Sequence, residues 1–292
     1  MLVSVIITTH NREMLLRRAI ESVINQSYKD IECIVVDDAS DYVSNVSESY
    51  PIEYIYIPKE KSKGGNHARN VGLLKARGTY VAFLDDDDFW KRDKIEKQLQ
   101  LIINKDCALV YCGLDLEIVN KNRIKHKIVY PLSNYQGNLS KRILYNICTS
   151  TSCIFSRRDL LIDVGAFDEN LRFWQEYDLL IRLAQKGDFY FVNEPLVCYR
   201  IDALDKQRLT NKYSEWLLSV DYIHQKYKSL YSQLNSLEKL QSKTLVWRDA
   251  VGRSKKAGLI WLSRWYRLLA ILGYLPYGVL HIKEVFQRIQ KL

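Results

Sequence analysis

The chain has 292 residues, 47% of them hydrophobic and 26% charged, which suits one large folded domain or two smaller ones and excludes intrinsic disorder. Its net charge of +9 is unevenly spread: residues 203–292 carry 16 Lys+Arg against 6 Asp+Glu, so the whole basic excess lies in the last part of the chain. Six cysteines, Cys33, Cys107, Cys112, Cys148, Cys153 and Cys198, have no CxxC spacing and read as buried thiols of a reducing compartment.

Taken in order, Val3 to Thr8 is a β-branched run that predicts a buried strand. It lacks a preceding basic stretch, and Thr8-Thr9-His10-Asn11 ends it too early for a signal peptide, so a cytoplasmic location is expected. Leu15, Leu16, Ala19, Ile20, Val23 and Ile24 mark one face of a helix, with Asn11 as its candidate N-cap. Further strands are expected at Ile31 to Val36, Ile52 to Ile57 and Tyr80 to Leu84, with a helix from Asn66 to Lys75 between the last two. A helix near Lys91 to Ile103 and a strand near Ala108 to Cys112 follow, then an irregular stretch to about Asn146. Leu179 to Gln185 reads as helix, Phe189 to Tyr199 as strand, and the chain from about Asp205 as long helices. Strands alternating with helices predict an α/β fold, a mostly parallel sheet covered on both faces, and such sheets bind ligands beyond the carboxyl ends of their strands.

Three of these strands deliver polar residues to that edge: Thr8-Thr9-His10-Asn11, Asp37-Asp38, and Asp85 to Asp88. Four adjacent carboxylates repel one another, so Asp85-Asp86-Asp87-Asp88 points to a cation held by oxygen ligands, the plainer alternative being a solvated acidic turn. A diphosphate bound there needs a divalent cation between it and the acids. No GxGxxG follows the first strand and no GxxxxGK[ST] occurs, so neither a dinucleotide-binding nor a P-loop enzyme is supported.

Four motifs in order, Ser4 to Arg12 (SVIITTHNR), Val35 to Ser40 (VVDDAS), Gly64 to Gly72 (GGNHARNVG) and Leu84 to Asp88 (LDDDD), resemble the inverting family-2 glycosyltransferases of the GT-A fold. A fifth, Gly165 to Glu169 followed by Gln175 to Leu179, is similar to that family's acceptor-side and catalytic-base segment, and the match spans roughly residues 3–202. The resemblance implies a GT-A domain over residues 1–205, a UDP-sugar donor and Mn²⁺ or Mg²⁺ as cofactor. It further implies that Thr9 and Asn11 border the nucleotide, that Asp38 accepts a hydrogen bond from the uracil ring, and that Arg69, Asp85 and Asp86 contact the sugar nucleotide; the plainer alternatives are that Asp38 caps a turn and that Arg69 pairs with the acidic cluster. Asp85 and Asp87 occupy the Asp-x-Asp metal positions, and Asp202 stands where many relatives carry a metal-binding histidine. The chain reads Gln175-Glu176-Tyr177-Asp178 where the family has Glu-Asp-x-Asp; Glu176 falls at the base position, with Asp178 as the competitor that anchors a helix beginning at Leu179. Thr8 replaces a usual proline.

The rest, residues 206–292, is a basic helical region in which Arg253, Lys255, Lys256, Arg264 and Arg267 surround Trp261 and Trp265. The apolar stretch Leu268 to Ile282 is shorter than the roughly 20 residues a bilayer requires. Cations and aromatics beside it suggest contact with an anionic membrane surface, and no nucleic-acid reading module is visible, so no nucleic-acid partner is expected. A helical cap on the first domain is the plainer alternative. Together these readings imply a metal-dependent transfer of sugar to a glycan hydroxyl, the acceptor being lipid-linked, in bacterial polysaccharide, O-antigen or capsule assembly at the inner face of the membrane. The alternatives are a nucleotidylyltransferase, whose glycine-rich loop is missing, and a catalytically silent module that binds a sugar nucleotide or a membrane.

Overall fold

The computed structural model describes residues 1–120, 123–202 and 212–278, with 274–278 as helix backbone alone. The expected domain boundary at 205/206 and the end of the apolar stretch, residues 279–282, lie outside the described residues. The first part alternates as the sequence predicts: β1 (Val3–Thr9), α1 (Glu13–Ile24), β2 (Ile31–Asp38), a single turn α2 (Val46–Ser49), β3 (Glu53–Ile57), α3 (Gly65–Lys75) and β4 (Tyr80–Asp85). Then come β5 (Phe89–Trp90), α4 (Lys94–Lys105), β6 (Leu109–Asn120), β7 (Arg123–Val129), β8 (Phe155–Arg157), α5 (Arg158–Asp163), α6 (Gln175–Ala184) and β9 (Phe189–Asp202). Four helices follow: α7 (Tyr213–Lys226), α8 (Lys228–Ser232), α9 (Ser236–Lys256) and α10 (Ile260–Gly278).

The nine strands form one mixed sheet in the order β3-β2-β1-β4-β8-β6-β9-β5, with β7 paired to β6. β1 runs parallel to both β2 and β4, and its register sets Thr9 opposite Asp37 and Thr8 opposite Asp85. The polar ends of three strands are therefore level with one another. β1 is buried nearly throughout and contributes Val5, Ile6 and Ile7 to a core completed by Ile34, Val35, Val81 and Phe83. α1 turns Leu16, Ala19, Ile20 and Val23 inward at helical spacing. α3 approaches β1 and β2 closely because it has glycine at 72: a Cβ there would meet Ile6 Cγ2 at 2.5 Å and Val36 Cγ2 at 3.2 Å.

Three sequence expectations need correction. Asn11 is not the N-cap of α1: Arg12 takes that place without a side-chain cap, and the Asn11 side chain bonds Asp41 after β2 instead. The stretch to Asn146 is not all irregular, since β6 continues to Asn120 and returns as β7, an antiparallel hairpin strand. β7 reads RIKHKIV and is exposed along most of its length, so it has no hydrophobic alternation to reveal it. The helix expected at Leu179 begins instead at Gln175, one turn earlier, which puts Glu176 and Asp178 in its first turn.

The chain divides into two compact units. Among the described residues, the sheet unit comprises Met1–Leu139, Cys148–Asn170 and the chain from Gln175 through Asp202. The helical unit takes residues 212–278 together with two short segments from earlier in the chain, Ser140–Ile147 and Leu171–Trp174. At its centre Trp216 is fully buried, edge-on to Trp174 with ring centroids 5.8 Å apart. Trp174 Nε1 donates to Asp249 at 2.8 Å, and the Arg253 guanidinium lies over the rings of Phe173 and Trp216. α9 starts with a capping box in which Asn235 and Glu238 each take the other's backbone N–H. No helix among the described residues is long and apolar enough to cross a membrane.

Candidate active site

The carboxyl ends of β1 and β2 are zipped together by side chains. Asn11 leaves β1 with φ 56° and Ala39 leaves β2 with φ 63°, a left-handed region that asparagine tolerates and alanine disfavours. Contacts between the two loops hold them there: Asn11 N donates to Ser40 Oγ, Asn11 Nδ2 to Asp41 Oδ2, and Asp41 N to Asn11 Oδ1, all at 3.0 Å or less. Asp37 closes the β2 turn by accepting from Ser40 N at 2.9 Å and from the Tyr54 hydroxyl at 2.5 Å. Its neighbour Asp38 is 9% exposed, and its Oδ1 is buried with no hydrogen-bond partner. A buried carboxylate oxygen without a donor is unfavourable on its own.

The four acids at the end of β4 part into two pairs. Asp86 and Asp88 turn inward. Asp86 accepts from Thr9 Oγ1 at 2.7 Å and lies 3.3 Å from Arg12 Nη1; burial pushes its carboxyl up to about 6, against the pull of Arg12. Asp88 accepts from Ser152 Oγ at 2.6 Å and from the backbone N of Arg200 at 3.0 Å. Burial and the charges of Asp87 and Asp85 hold its carboxyl well above the usual range. Asp85 and Asp87 face outward, with side chains 29% and 23% exposed. Asp85 pairs with Arg69 at 2.6 Å and Asp87 with Arg12 at 3.3 Å.

Beneath the turn, Glu117 of β6 is buried between Arg18 and Arg200, with Oε1 3.3 and 3.0 Å from their guanidinium groups. Arg18 lies over the Phe89 ring at 4.3 Å and donates to the Asp87 carbonyl at 3.3 Å. Arg200 reaches Asp202 at 3.5 Å, so Asp202 stands two residues along β9 from the contact with Asp88.

α3 links this edge to the acceptor-side motif. Asn70 exchanges hydrogen bonds with the backbone of Phe167, Asn66 donates to Asp168 O, and Arg69 lies 5.4 Å from the Phe167 ring centroid. Beyond that segment, the two base candidates differ in setting. Asp178 is fully buried and bound to Arg182 at 2.5 Å, one turn along α6. Glu176 is half-buried at the start of the helix. The cavity bounded by Ser22, Asn25, Lys29, Trp90 and Arg92 is a separate feature that none of the strand-end acids lines.

The structure thus brings together Thr9 with Asp86 and Arg69 with Asp85, and joins Asn11 to the β2 loop that bears Asp38. It adds residues that the sequence motifs did not single out: Arg12, Arg18, Glu117, Ser152 and Arg200. Arg12 stands in the first motif and was within reach; the others come from distant positions with no local signal.

A divalent cation suits this donor set. Carboxylate oxygens are the ligands Mg²⁺ and Mn²⁺ take, and in phosphate sites one or two suffice because waters and phosphate oxygens complete the shell. Asp85 and Asp87, the outward pair, meet that need, although among the described residues no three acidic, His or Cys side chains converge as a ready cage.

The carboxyl edge of the parallel strands gathers carboxylates from β2 and β4 and arginines from the loop after β1 and from α3, an arrangement compatible with a transferase of the GT-A fold. The structure of Staphylococcus aureus TarS 1-349 in complex with UDP-GlcNAc superposes with a TM-score of 0.55 at 19% identity, covering 94% of this chain and 89% of that one. The family model for Glycosyl transferase family 2 matches residues 4–162, over half the chain, and the chain belongs to that family: it is a glycosyltransferase. Among its relatives, TuaG of Bacillus subtilis, which carries the name "Putative teichuronic acid biosynthesis glycosyltransferase", is 33% identical over 208 residues, 68% of this chain and 79% of that one. WfgD of Escherichia coli, a UDP-Glc:alpha-D-GlcNAc-diphosphoundecaprenol beta-1,3-glucosyltransferase, is 27% identical over 240 residues, 80% of this chain and 91% of that one.

The inward pair yields a pH prediction. With its carboxyl raised to about 6, folded Asp86 keeps a proton that the unfolded chain releases near 3.9, so its contribution to stability is present at acid pH and falls as pH rises from about 4 to about 6. In metal-free protein, raising pH from about 5 to about 8 is expected to shift the stability difference between wild type and Asp86→Asn by about 1 kcal/mol in favour of the variant. Urea denaturation at the two pH values measures it, and a difference independent of pH would rule out burial of the charge.

Proposed function

We propose that this glycosyltransferase moves a sugar from a UDP-sugar to a hydroxyl of a lipid-linked glycan, with a divalent cation and with inversion at the anomeric carbon, in assembly of a bacterial polysaccharide such as O-antigen or capsule. The observation that carries the donor assignment is the unpartnered, buried Oδ1 of Asp38. Uracil offers one ring N–H, and an acceptor fixed at the carboxyl end of β2 matches it. Arg69, on α3, offers a cation to the diphosphate once its carboxylate partner Asp85 engages the ribose or the metal. A cation bound to Asp87 and Asp85 would supply charge neutralisation for the leaving diphosphate. Thr9 and Asn11 border the nucleotide through their hold on Asp86 and on the β2 loop.

Glu176 is the general base. The residue is half-buried at the start of α6, where an acceptor hydroxyl could reach it, whereas Asp178 is fully buried against Arg182 and supports the helix. A single base that deprotonates the acceptor during attack, opposite the leaving group, gives direct displacement and therefore inversion. The similar TarS structure contains UDP-GlcNAc, and the name of WfgD gives a UDP-glucose donor and a diphosphoundecaprenol-linked acceptor; both favour this choice of substrates. Contact of the basic helical region with an anionic membrane surface at the inner face of the cell belongs to the same reading, because a lipid-linked acceptor keeps its glycan there.

Three measurements test the proposal. Asp38→Ala should weaken UDP binding by roughly tenfold to a hundredfold in calorimetry, the worth of a hydrogen bond to a charged group; unchanged affinity would remove uracil from this position. Chelation should weaken UDP binding in the wild type, and Asp87→Asn should abolish turnover, since an amide is a poorer ligand for a cation bridging phosphates. Equal UDP affinity with and without chelator would exclude the metal. Glu176→Gln should lower turnover by roughly 10²- to 10⁴-fold while UDP affinity holds, and a larger loss from Asp178→Asn with the fold intact would transfer the role to Asp178.

A further inference from the structure

Among the described residues, the helical unit has one exposed apolar face. α10 is fixed along α9 by its inner side, where Ser263 Oγ donates to the Val251 carbonyl at 2.9 Å and Ala270 is fully buried. Glycine at 273 permits the approach: a Cβ there would stand 2.1 Å from Thr244 Oγ1. On the opposite side Trp261, Trp265, Leu268 and Leu272 follow one another at spacings of four, three and four residues, which puts them on one stripe. They are 81%, 56%, 47% and 48% exposed. Two Trp and two Leu at such exposure form a continuous apolar strip of a kind that soluble surfaces rarely present.

The charges around the strip identify what it meets. Arg264 lies over the Trp261 ring at 5.2 Å, Arg267 is exposed one turn on, and Lys255 and Lys256 are exposed at the end of α9. The sequence contains no Asp or Glu from residue 250 to residue 283. A second copy pairing through this face would bring like charges together, which opposes self-association. An anionic lipid interface satisfies both parts: headgroup phosphates take the cations, Trp rings sit at the boundary between headgroup and chain, and the leucines enter the outer acyl layer.

We propose that the Trp261–Trp265–Leu268–Leu272 face of α10 is the docking surface of this enzyme for anionic phospholipid, with the helix lying in the plane of the interface. The proposal deepens the reading of a membrane-carried acceptor, yet it stands on the face itself and not on the donor chemistry. Trp rings supply an attachment that salt does not remove, and the cations an attachment that salt screens within about 10 Å.

Sedimentation of the full chain with phosphatidylcholine vesicles, with and without phosphatidylglycerol, across a salt series tests it. The wild type should bind the anionic vesicles, more weakly as salt rises. Trp261→Gln with Trp265→Gln should lose at least tenfold in partitioning at every salt concentration. Lys255→Gln, Arg264→Gln and Arg267→Gln should lose roughly fivefold per charge at low salt and little at high salt. All these side chains are exposed, so melting temperature and UDP affinity should hold in every variant; that control also separates this proposal from the donor assignment. No binding by folded wild type at low salt would overturn it. So would undiminished binding by the Trp pair, or a wild-type oligomer that the Trp pair dissociates without any vesicle binding.

Discussion

The mutual repulsion of Asp85, Asp86, Asp87 and Asp88 at the end of a buried strand is the constraint around which the sheet unit is arranged. Two of the four are turned into the protein, where Thr9, Ser152 and the Arg200 backbone give their oxygens donors. The outward two are matched by Arg12 and Arg69, which come from the loop after β1 and from α3. Beneath them Glu117 binds two more arginines, and one of these fixes the turn through the Asp87 carbonyl. Many of the long-range polar contacts at this edge hold or neutralise that short run, and burial, reinforced by the neighbouring acids, raises the carboxyls of Asp86 and Asp88.

The loops after β1 and β2 meet a different requirement. The uracil contact proposed for Asp38 requires a carboxylate whose lone pair is already aimed and dry when the ligand arrives. Asn11 and Ala39 adopt backbone conformations that a free loop would abandon, and the reciprocal bonds between Asn11 and Asp41 make those conformations the stable ones. The strain is local, and the result is a carboxylate oxygen at Asp38 that the protein itself does not satisfy.

Much of this was legible in the sequence because it is local. Strands that end in polar residues, a glycine-bounded helix and the acidic run all declare themselves within a few residues, and parallel pairing then levels their ends. What could not be read was pairing over distance. Nothing near Glu117 announces Arg18 or Arg200, 99 and 83 residues away, and nothing near Ser152 announces Asp88. β7 escaped for another reason: an exposed hairpin strand with charged residues on it has no buried face to impose a pattern. The start of α6 is hidden because Asp178 looks like the residue that anchors a helix at Leu179, whereas it lies inside the first turn, buried with Tyr177.

The helical unit draws Ser140–Ile147 and Leu171–Trp174 out of the middle of the chain, and this has a consequence for synthesis. When those segments leave the ribosome, the partners that bury them have not yet been made: Trp216, Asp249 and Arg253 come at least 40 residues after Trp174. Ile143, Leu144, Phe173 and Trp174 must wait in a nascent chain with their apolar surface open, so the sheet unit matures while carrying two sticky segments. A stop codon or a protease cut just after β9 would make that temporary state permanent. Shortened forms of the enzyme should fail through aggregation before they fail through loss of chemistry.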